Sequence, residues 1–466
     1  MTGSRDREPG PPARPTGPDV EPAALRDRAI AVLAGNERDG YVAPARGLYD
    51  HQHLWDTCFV AIGQRHYDVD AAMAGLRRMF GAQWANGMVP NIRFERGWRY
   101  WWDRRVWRSR VSPSAPRDVA TGGISQPPMI AEAVVRVGEM LPRDRRLAWY
   151  RSVHEPLVAY HEWLHLDRGV DGSALVIQIH PWETGLDNSP PLLEVLGRSP
   201  VPWWLDLVAR TRADRLATRL RWDTKYVPAD QRSSTLEALR LYAALRAIRR
   251  DRYETDAALL HGPCVVQDLT FNSILVRADD RLREIGEEIG TPMSPRLAAA
   301  VRTHRSAMED LWDGGTGSYY SRDARTRQLV KVPSIAGFMP LYAGCVDSGR
   351  AARLVEQLRD PRELGTPCPL PTVPVGSTWF QPRRYWQGPT WVNTNWLVID
   401  GLRRYGYHVE AEDLRRATLA MVAESGFSEY YDPLTGEPAG AREFAWSAAL
   451  AIDLLEDDGG AAGTGS

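Results

Sequence analysis

The sequence predicts an all-α fold in which paired helices close into a ring. Three observations carry that expectation. Helical periodicity recurs about a dozen times along the 466 residues, strand signals are short and few, and the connections are long and rich in Trp, Tyr and Gly. No GxGxxG, phosphate-binding loop or alternating strand–helix rhythm suggests an α/β sheet. No repeat of about 34 or 40 residues suggests a solenoid.

The elements follow in order. Residues 1–22 are rich in Pro, Gly and charge and predict a disordered tail. Helices are predicted at 22–36, 54–65, 68–85, 126–141, 143–166 and 202–219, then at 232–250, 267–289, 294–312, 391–405, 409–424 and 443–456. Asp68 and Asp70 punctuate one start, and Ser294–Pro295 opens another. Strand-like segments are LVIQI at 175–179 and the hairpin-like SYYSRD and QLVKV around 318–332. Residues 458–466 predict a second disordered tail. The stretch 23–457 reads as one domain.

Composition narrows the function. With 58 basic and 59 acidic side chains the formal net charge is −1, which gives no long-range field for nucleic acid or an anionic membrane. No run of about 18 apolar residues predicts a membrane span. The N-terminus lacks an apolar signal region, and Cys58, Cys264, Cys345 and Cys368 show no CxxC spacing. A reducing cytoplasm is the expected compartment. A homo-oligomer stays open. The chain carries 18 Trp and 17 Tyr against 8 Phe. Aromatic rings with a polar tip suit carbohydrate, which has a C–H face to stack and an edge of hydroxyls to bond.

Long loops at Tyr41–His53, Asn91–Ser125, His180–Pro200, Pro361–Pro389 and Phe427–Arg442 are too aromatic to be disordered and predict function. In GLYDHQHLWDTCFVAIG, the residues Tyr49, His53, Trp55 and Asp56 lie where a loop meets an apolar helix. Trp55 could stack a sugar and Asp56 bind its hydroxyls; alternatively Asp56 caps the helix and Trp55 packs below. Gln126 precedes Pro127 and Pro128, which leaves its amide free. HPWETGLDNSP holds Glu183 and Asp187 beside Trp182, and acidic groups by a Trp are candidates for proton transfer. Asp187 also reads as part of a turn. YWQGPTWVNTNW gathers Trp386, Gln387 and Trp391 as a candidate sugar platform. Glu429 sits between Phe427 and two tyrosines, poised as a base on water. Two such carboxylates, distant in sequence, fit two-carboxylate glycoside hydrolysis.

Together with QWANGMVPNI, SQPPM, VQDLTFNSIL and FSEYYDPLTGEPAG, these segments resemble glycoside hydrolase family 63 over residues 25–456. Among its members the resemblance is greatest to bacterial mannosylglycerate and glucosylglycerate hydrolases. It implies an (α/α)6 barrel, a six-hairpin toroid, and inversion at the anomeric carbon. It implies Asp187 as general acid and Glu429 as general base. It places Tyr49, Trp55, Asp56, Gln126, Trp386, Gln387 and Trp391 around the sugar. For inversion the two carboxyls should lie roughly 6.5–9.5 Å apart. His53, Asn91 and the stretch Gly97–Arg110 depart from the family pattern, which leaves the leaving group open. Arg93, Arg96 or Arg99 could meet a glycerate carboxylate. No HExxH or His/Cys cluster calls for a metal, and no cofactor is expected. The expected partner is a small carbohydrate substrate. A trehalase-like or oligosaccharide α-glucosidase is the alternative enzyme, and a non-catalytic carbohydrate-binding toroid the alternative class. A prenyl-type toroid would need Asp-rich or zinc-binding motifs that the sequence lacks.

Overall fold

Six helices form the inner wall of the molecule, most of them buried on nearly every side. They are Leu54–Gln64, Ile130–Glu139, Leu269–Ile289, Met339–Ala343, Val392–Arg404 and Ala445–Glu456. Each packs against the next and the last against the first, so the ring closes. Strictly alternating with them along the chain are six outer helices, Pro22–Gly35, Val69–Phe80, Arg143–Leu166, Pro295–Ala307, Ser348–Arg359 and His408–Ser425. The outer ones bury a single stripe, as Val69–Phe80 does with Ala72, Met73, Leu76 and Met79. The protein is therefore the (α/α)6 toroid. This computed structural model describes residues 21–169, 174–211, 214, 218–219 and 221–457. Apart from Glu21 and Pro22, the two expected tails lie outside them.

Several boundaries differ from the sequence expectation. The 68–85 helix stops at Phe80 because Gly81 ends it. The 126–141 helix starts only at Ile130, since the residue before a proline is held extended. Of 202–219, Trp203–Arg210 is helical and much of the remainder lies outside the described residues. The 294–312 helix ends at Ala307, and Met308–Leu311 tightens into a 3-10 turn.

LVIQI is not a strand. Its backbone is satisfied by Arg168 O and the Asn272 side chain, with one bridge from Gln178 to Val266. The hairpin around 318–332 is also different: Ser318–Tyr319 pairs with Trp312–Asp313, and Arg322–Asp323 with Val266–Gln267.

Buried ions tie the inner helices together. Glu132 accepts from Arg136 at 2.8 Å, Arg277 at 3.0 Å and Arg281 at 2.7 Å, and Arg136 reaches Asp400 at 2.7 Å. Burial alone would raise the Glu132 pKa, but the three arginines outweigh it and hold it below the usual carboxylate range. Asp453 collects Arg65, His66 and the Trp396 indole N–H in the same way.

Where the first and last inner helices cross, backbones touch through Gly63. A Cβ there would lie 2.0 Å from the Ala449 carbonyl oxygen. Gly63→Ala should therefore cost about 1–3 kcal/mol by overpacking. A depressed thermal midpoint is expected, and an unchanged one would refute the close approach.

Candidate active site

Loops and hairpins that precede the inner helices converge on one cavity of about 730 Å³. Tyr49, His53, Trp55, Asp56, Gln126, Trp182, Asp187, Trp386 and Glu429 all line it. Residues more than 370 positions apart thus share a wall (Tyr49 to Glu429, a separation of 380).

The Asp187 loop is fixed by its neighbours. Glu183 is committed to structure: it pairs with Arg168 at 3.0 Å and accepts from Ile179 N at 2.6 Å. Gly185 then turns the chain with φ +75°, and a Cβ there would meet the Trp55 indole at 2.6 Å. Only glycine lets this loop lie against Trp55. Asp187 follows, and the Tyr385 hydroxyl donates to its Oδ2 at 3.2 Å. Asn188 ties the same loop to Trp386 N and to the Gln387 side chain. Burial pushes the Asp187 pKa up to about 7. The Tyr385 hydrogen bond and the Arg232 charge oppose this, and the Glu429 charge adds to it.

Glu429 sits on a hairpin rather than an open loop. Ser428–Tyr431 pairs with Pro438–Arg442 across a register shift between Ala439 and Arg442. The shift turns the Ala441 N–H onto Glu429 Oε2 at 2.9 Å. Gly440, at φ +71°, is needed there, since its Cβ would crowd Oε2 at 2.6 Å. Tyr49 donates to Oε1 at 3.1 Å, and Arg232 Nη1 reaches both oxygens at 3.0 and 3.1 Å. Every neighbour of this carboxyl is a donor. The Arg232 guanidinium also lies 4.2 Å from the ring centre of Tyr385, the residue that donates to Asp187.

Asp56, in the first turn of Leu54–Gln64, is buried in the same wall. Burial raises its pKa to about 8, helped by the Glu429 and Asp187 charges. His53 is pushed down to about 3 by burial and by His51. Trp55 packs edge-on against Trp446 at 5.2 Å and also faces the cavity. Trp182 lies between Trp107 and His180. Four buried polar atoms of the wall have no protein partner: Asn91 Oδ1, Gln126 Oε1, Trp386 Nε1 and Trp446 Nε1. Buried polar groups are normally paired. Two donors and two acceptors thus lie unpaired beneath the aromatic lining of the cavity.

Two expected contacts do not reach the cavity. Trp391 lies behind Trp386, stacked at 3.7 Å and 3°, with its N–H on the Tyr385 carbonyl. Gln387 turns away to Asn188 O and Glu237. Both support Trp386 and the Asp187 loop from the rear. Of the three arginines proposed for a carboxylate, Arg99 alone lines the cavity, and Arg93 is bound to the Arg78 carbonyl. Sequence reasoning missed Arg232 and Tyr385, the residues that link the two carboxyls. Among the described residues one cluster has metal-ligand chemistry, His161, His165 and Asp279. It lies outside this cavity, and hydrogen bonds of 2.8 and 3.0 Å join its members.

The chain matches the mannosylglycerate hydrolase MGH1-like glycoside hydrolase domain over residues 49–447. It is 35% identical to a mannosylglycerate hydrolase of Rubrobacter radiotolerans over 95% of this chain and 98% of the relative. It is 31% identical to a glucosylglycerate hydrolase of Mycolicibacterium hassiacum, covering 95% and 100%. The crystal structure of the GH63 mannosylglycerate hydrolase from Thermus thermophilus in complex with Tris superposes with a TM-score of 0.83 at 35% identity, over 92% of this chain and 99% of that one.

The raised Asp187 pKa has a consequence for stability. A carboxyl whose pKa is higher folded than unfolded binds its proton more tightly in the native state. Stability therefore falls as pH rises from about 4 to about 7, by up to roughly 1.4 kcal/mol for each tenfold difference in proton affinity between the two states. Asp187→Asn removes this penalty. Thermal melts should show the variant above the parent at pH 8 and level with it near pH 4; a variant that melts lower at pH 8 would overturn the raised Asp187 pKa.

Proposed function

The chain belongs to the MGH1-like glycoside hydrolases of family 63, and we propose that it hydrolyses a small α-linked mannoside or glucoside, such as mannosylglycerate or glucosylglycerate, with inversion. One observation supports this above the rest. Asp187 and Glu429 face one cavity in opposite surroundings, the first holding its proton to about pH 7 and the second ringed by donors.

The chemistry follows from those surroundings. Protonated Asp187 donates to the glycosidic oxygen as the anomeric C–O bond breaks. Glu429, as carboxylate, takes a proton from a water that attacks the anomeric carbon from the other face. Arg232 and Tyr49 aim Glu429, and Tyr385 holds the Asp187 carboxyl. Asp56 and Gln126 engage hydroxyls, while Trp386 and Trp55 supply the apolar face. Gly185 and Asn188 set the position of the acid. The two carboxyls suffice for both proton transfers. Residues 23–457 act as one catalytic domain. The four cysteines, all unpaired, suit a cytoplasmic setting. Among the described residues no helix is long and apolar enough to cross a membrane.

Incubation with mannosylglycerate, glucosylglycerate, trehalose and α-glucobioses, followed by NMR of the released anomer, tests the reading. The first product is expected as the β-anomer. Asp187→Asn and Glu429→Gln should each lower kcat by about a thousandfold or more while folding is retained. Activity that survives both changes, or an α-product, refutes it. The general acid works only while protonated, so kcat/KM should fall as pH rises through about 7. Tyr385→Phe removes a hydrogen bond that lowers the Asp187 pKa, so this limb should move to higher pH. A limb that stays in place or moves down would sever Tyr385 from the acid.

A further inference from the structure

Away from the acid–base cavity, three histidines surround one buried carboxylate. His161 and His165 stand at i and i+4 on the outer helix Arg143–Leu166, so they share a face. Asp279 comes from the inner helix Leu269–Ile289, and His304 from the outer helix Pro295–Ala307. None of the four side chains exposes more than 2% of its surface. The Asp279 carboxylate lies 2.8 Å from His161 Nδ1, 3.0 Å from His165 Nε2 and 3.8 Å from His304 Nδ1. Among the described residues no arginine or lysine pairs with it. A carboxylate buried this deeply is normally paired with a full charge or bound to a metal.

The hydrogen bonds behind His304 fix which of its nitrogens carries a proton. Asn272 Oδ1 accepts from the Val176 N–H at 3.0 Å, and Asn272 Nδ2 donates to the carbonyls of Val176 and Asp268 at 3.1 and 2.8 Å. That orientation makes Oδ1 an acceptor, so His304 Nε2, 2.9 Å away, is the donor. In the neutral ring Nδ1 is then a bare lone pair. It is buried, has no hydrogen-bond partner, and faces Asp279 Oδ2 at 3.8 Å. Two acceptors facing each other across that gap have no proton to share, and a cation between them satisfies both. The spacing suits one: two ligand atoms about 2.1 Å from a zinc ion lie roughly 3.4 Å apart at the tetrahedral angle. The distances from Asp279 Oδ2 to His165 and His304, 3.0 and 3.8 Å, straddle that figure.

We propose that His161, His165, His304 and Asp279 form a structural site for a divalent transition metal such as zinc. Three imidazoles and one carboxylate supply four ligands, the number a closed structural site takes. Imidazole donors suit zinc, copper and nickel, whereas magnesium and calcium prefer shells of oxygen. Binding displaces the protons that His161 and His165 share with Asp279, and these leave to solvent. The metal pins three helices that pack on one another. Through Asn272 the same site is joined to Val176, in the segment that leads to the Asp187 loop. Its ligands come from three separate helices, so no short motif announces them in the sequence. The site takes no part in the acid–base reaction and stands independently of that assignment.

The test uses the full chain without an affinity tag, stripped with a chelator and gel-filtered. Zn²⁺ should then load to one equivalent that survives a second gel filtration, counted by elemental analysis, and should raise the thermal midpoint. Co²⁺ in its place should give the strong visible absorption of a tetrahedral ion, while Mg²⁺ and Ca²⁺ should neither load nor stabilise. His165→Gln and His304→Gln should each weaken Zn²⁺ binding about a hundredfold or more; Gln at 304 keeps an N–H for Asn272. A parent that retains no Zn²⁺, or whose bound Co²⁺ has an octahedral spectrum, overturns the site. Undiminished binding in both variants overturns it as well, because the metal then sits elsewhere. Where a variant fails to fold, the stoichiometry and the cobalt spectrum of the parent decide.

Discussion

Asp56, Asp187 and Glu429 line one cavity, and the buried Arg232 guanidinium sits on Glu429. That electrostatic constraint organises the rest. Like charges cannot all be ionised at close quarters in a low-dielectric space. Arg232 resolves the conflict unevenly. It places two hydrogen bonds on Glu429, while Asp187 receives only the Tyr385 hydroxyl and a more distant share of the positive charge. Burial, with the neighbouring acidic charges, makes Asp187 and Asp56 hold their protons to higher pH than a free carboxyl does. The proposed acid and base are two carboxyls told apart by their neighbours.

The toroid makes the constraint possible. The segments that precede five of the six inner helices contribute to the cavity wall, so residues from distant parts of the chain meet there. Glycines complete the approach at Gly185 and Gly440, where any side chain would collide with Trp55 or Glu429. Below that end, buried ion pairs around Glu132 and Asp453 lock the inner helices. The rigidity matters, since acid–base catalysis depends on geometry held to fractions of an ångström.

Much of this was legible in the sequence. Ten of the twelve ring helices announce themselves by period and by polar faces, Met339–Ala343 and the outer Ser348–Arg359 being missed, and the motif segments gather the residues from Tyr49 to Glu429 that the structure brings to one wall. What escaped has physical reasons. Met339–Ala343, the fourth inner helix, spans about one turn and stops at left-handed Gly344, too short for any periodicity. Arg232 is one arginine in a polar stretch, and nothing local shows that its partner lies 197 positions away. Trp391 and Gln387 carry the right chemistry in the right segment. Which side of a turn a side chain takes depends on backbone angles that spacing does not encode, and the stack on Trp386 sends Trp391 to the rear. LVIQI reads as a strand because a short buried apolar run looks the same in either conformation.

The ring is sewn shut by its first and last helices. Pro22–Gly35 packs on Ala445–Glu456, Arg26 pairs with Glu456, and the Ala445 N–H bonds Pro44 O. Without Ala445–Glu456 the wall keeps an apolar slot, and that helix carries Trp446 into the cavity next to the hairpin of Glu429. Topological closure and assembly of the cavity wall are therefore one event. An open ring should expose apolar surface and aggregate rather than persist as a loosened fold.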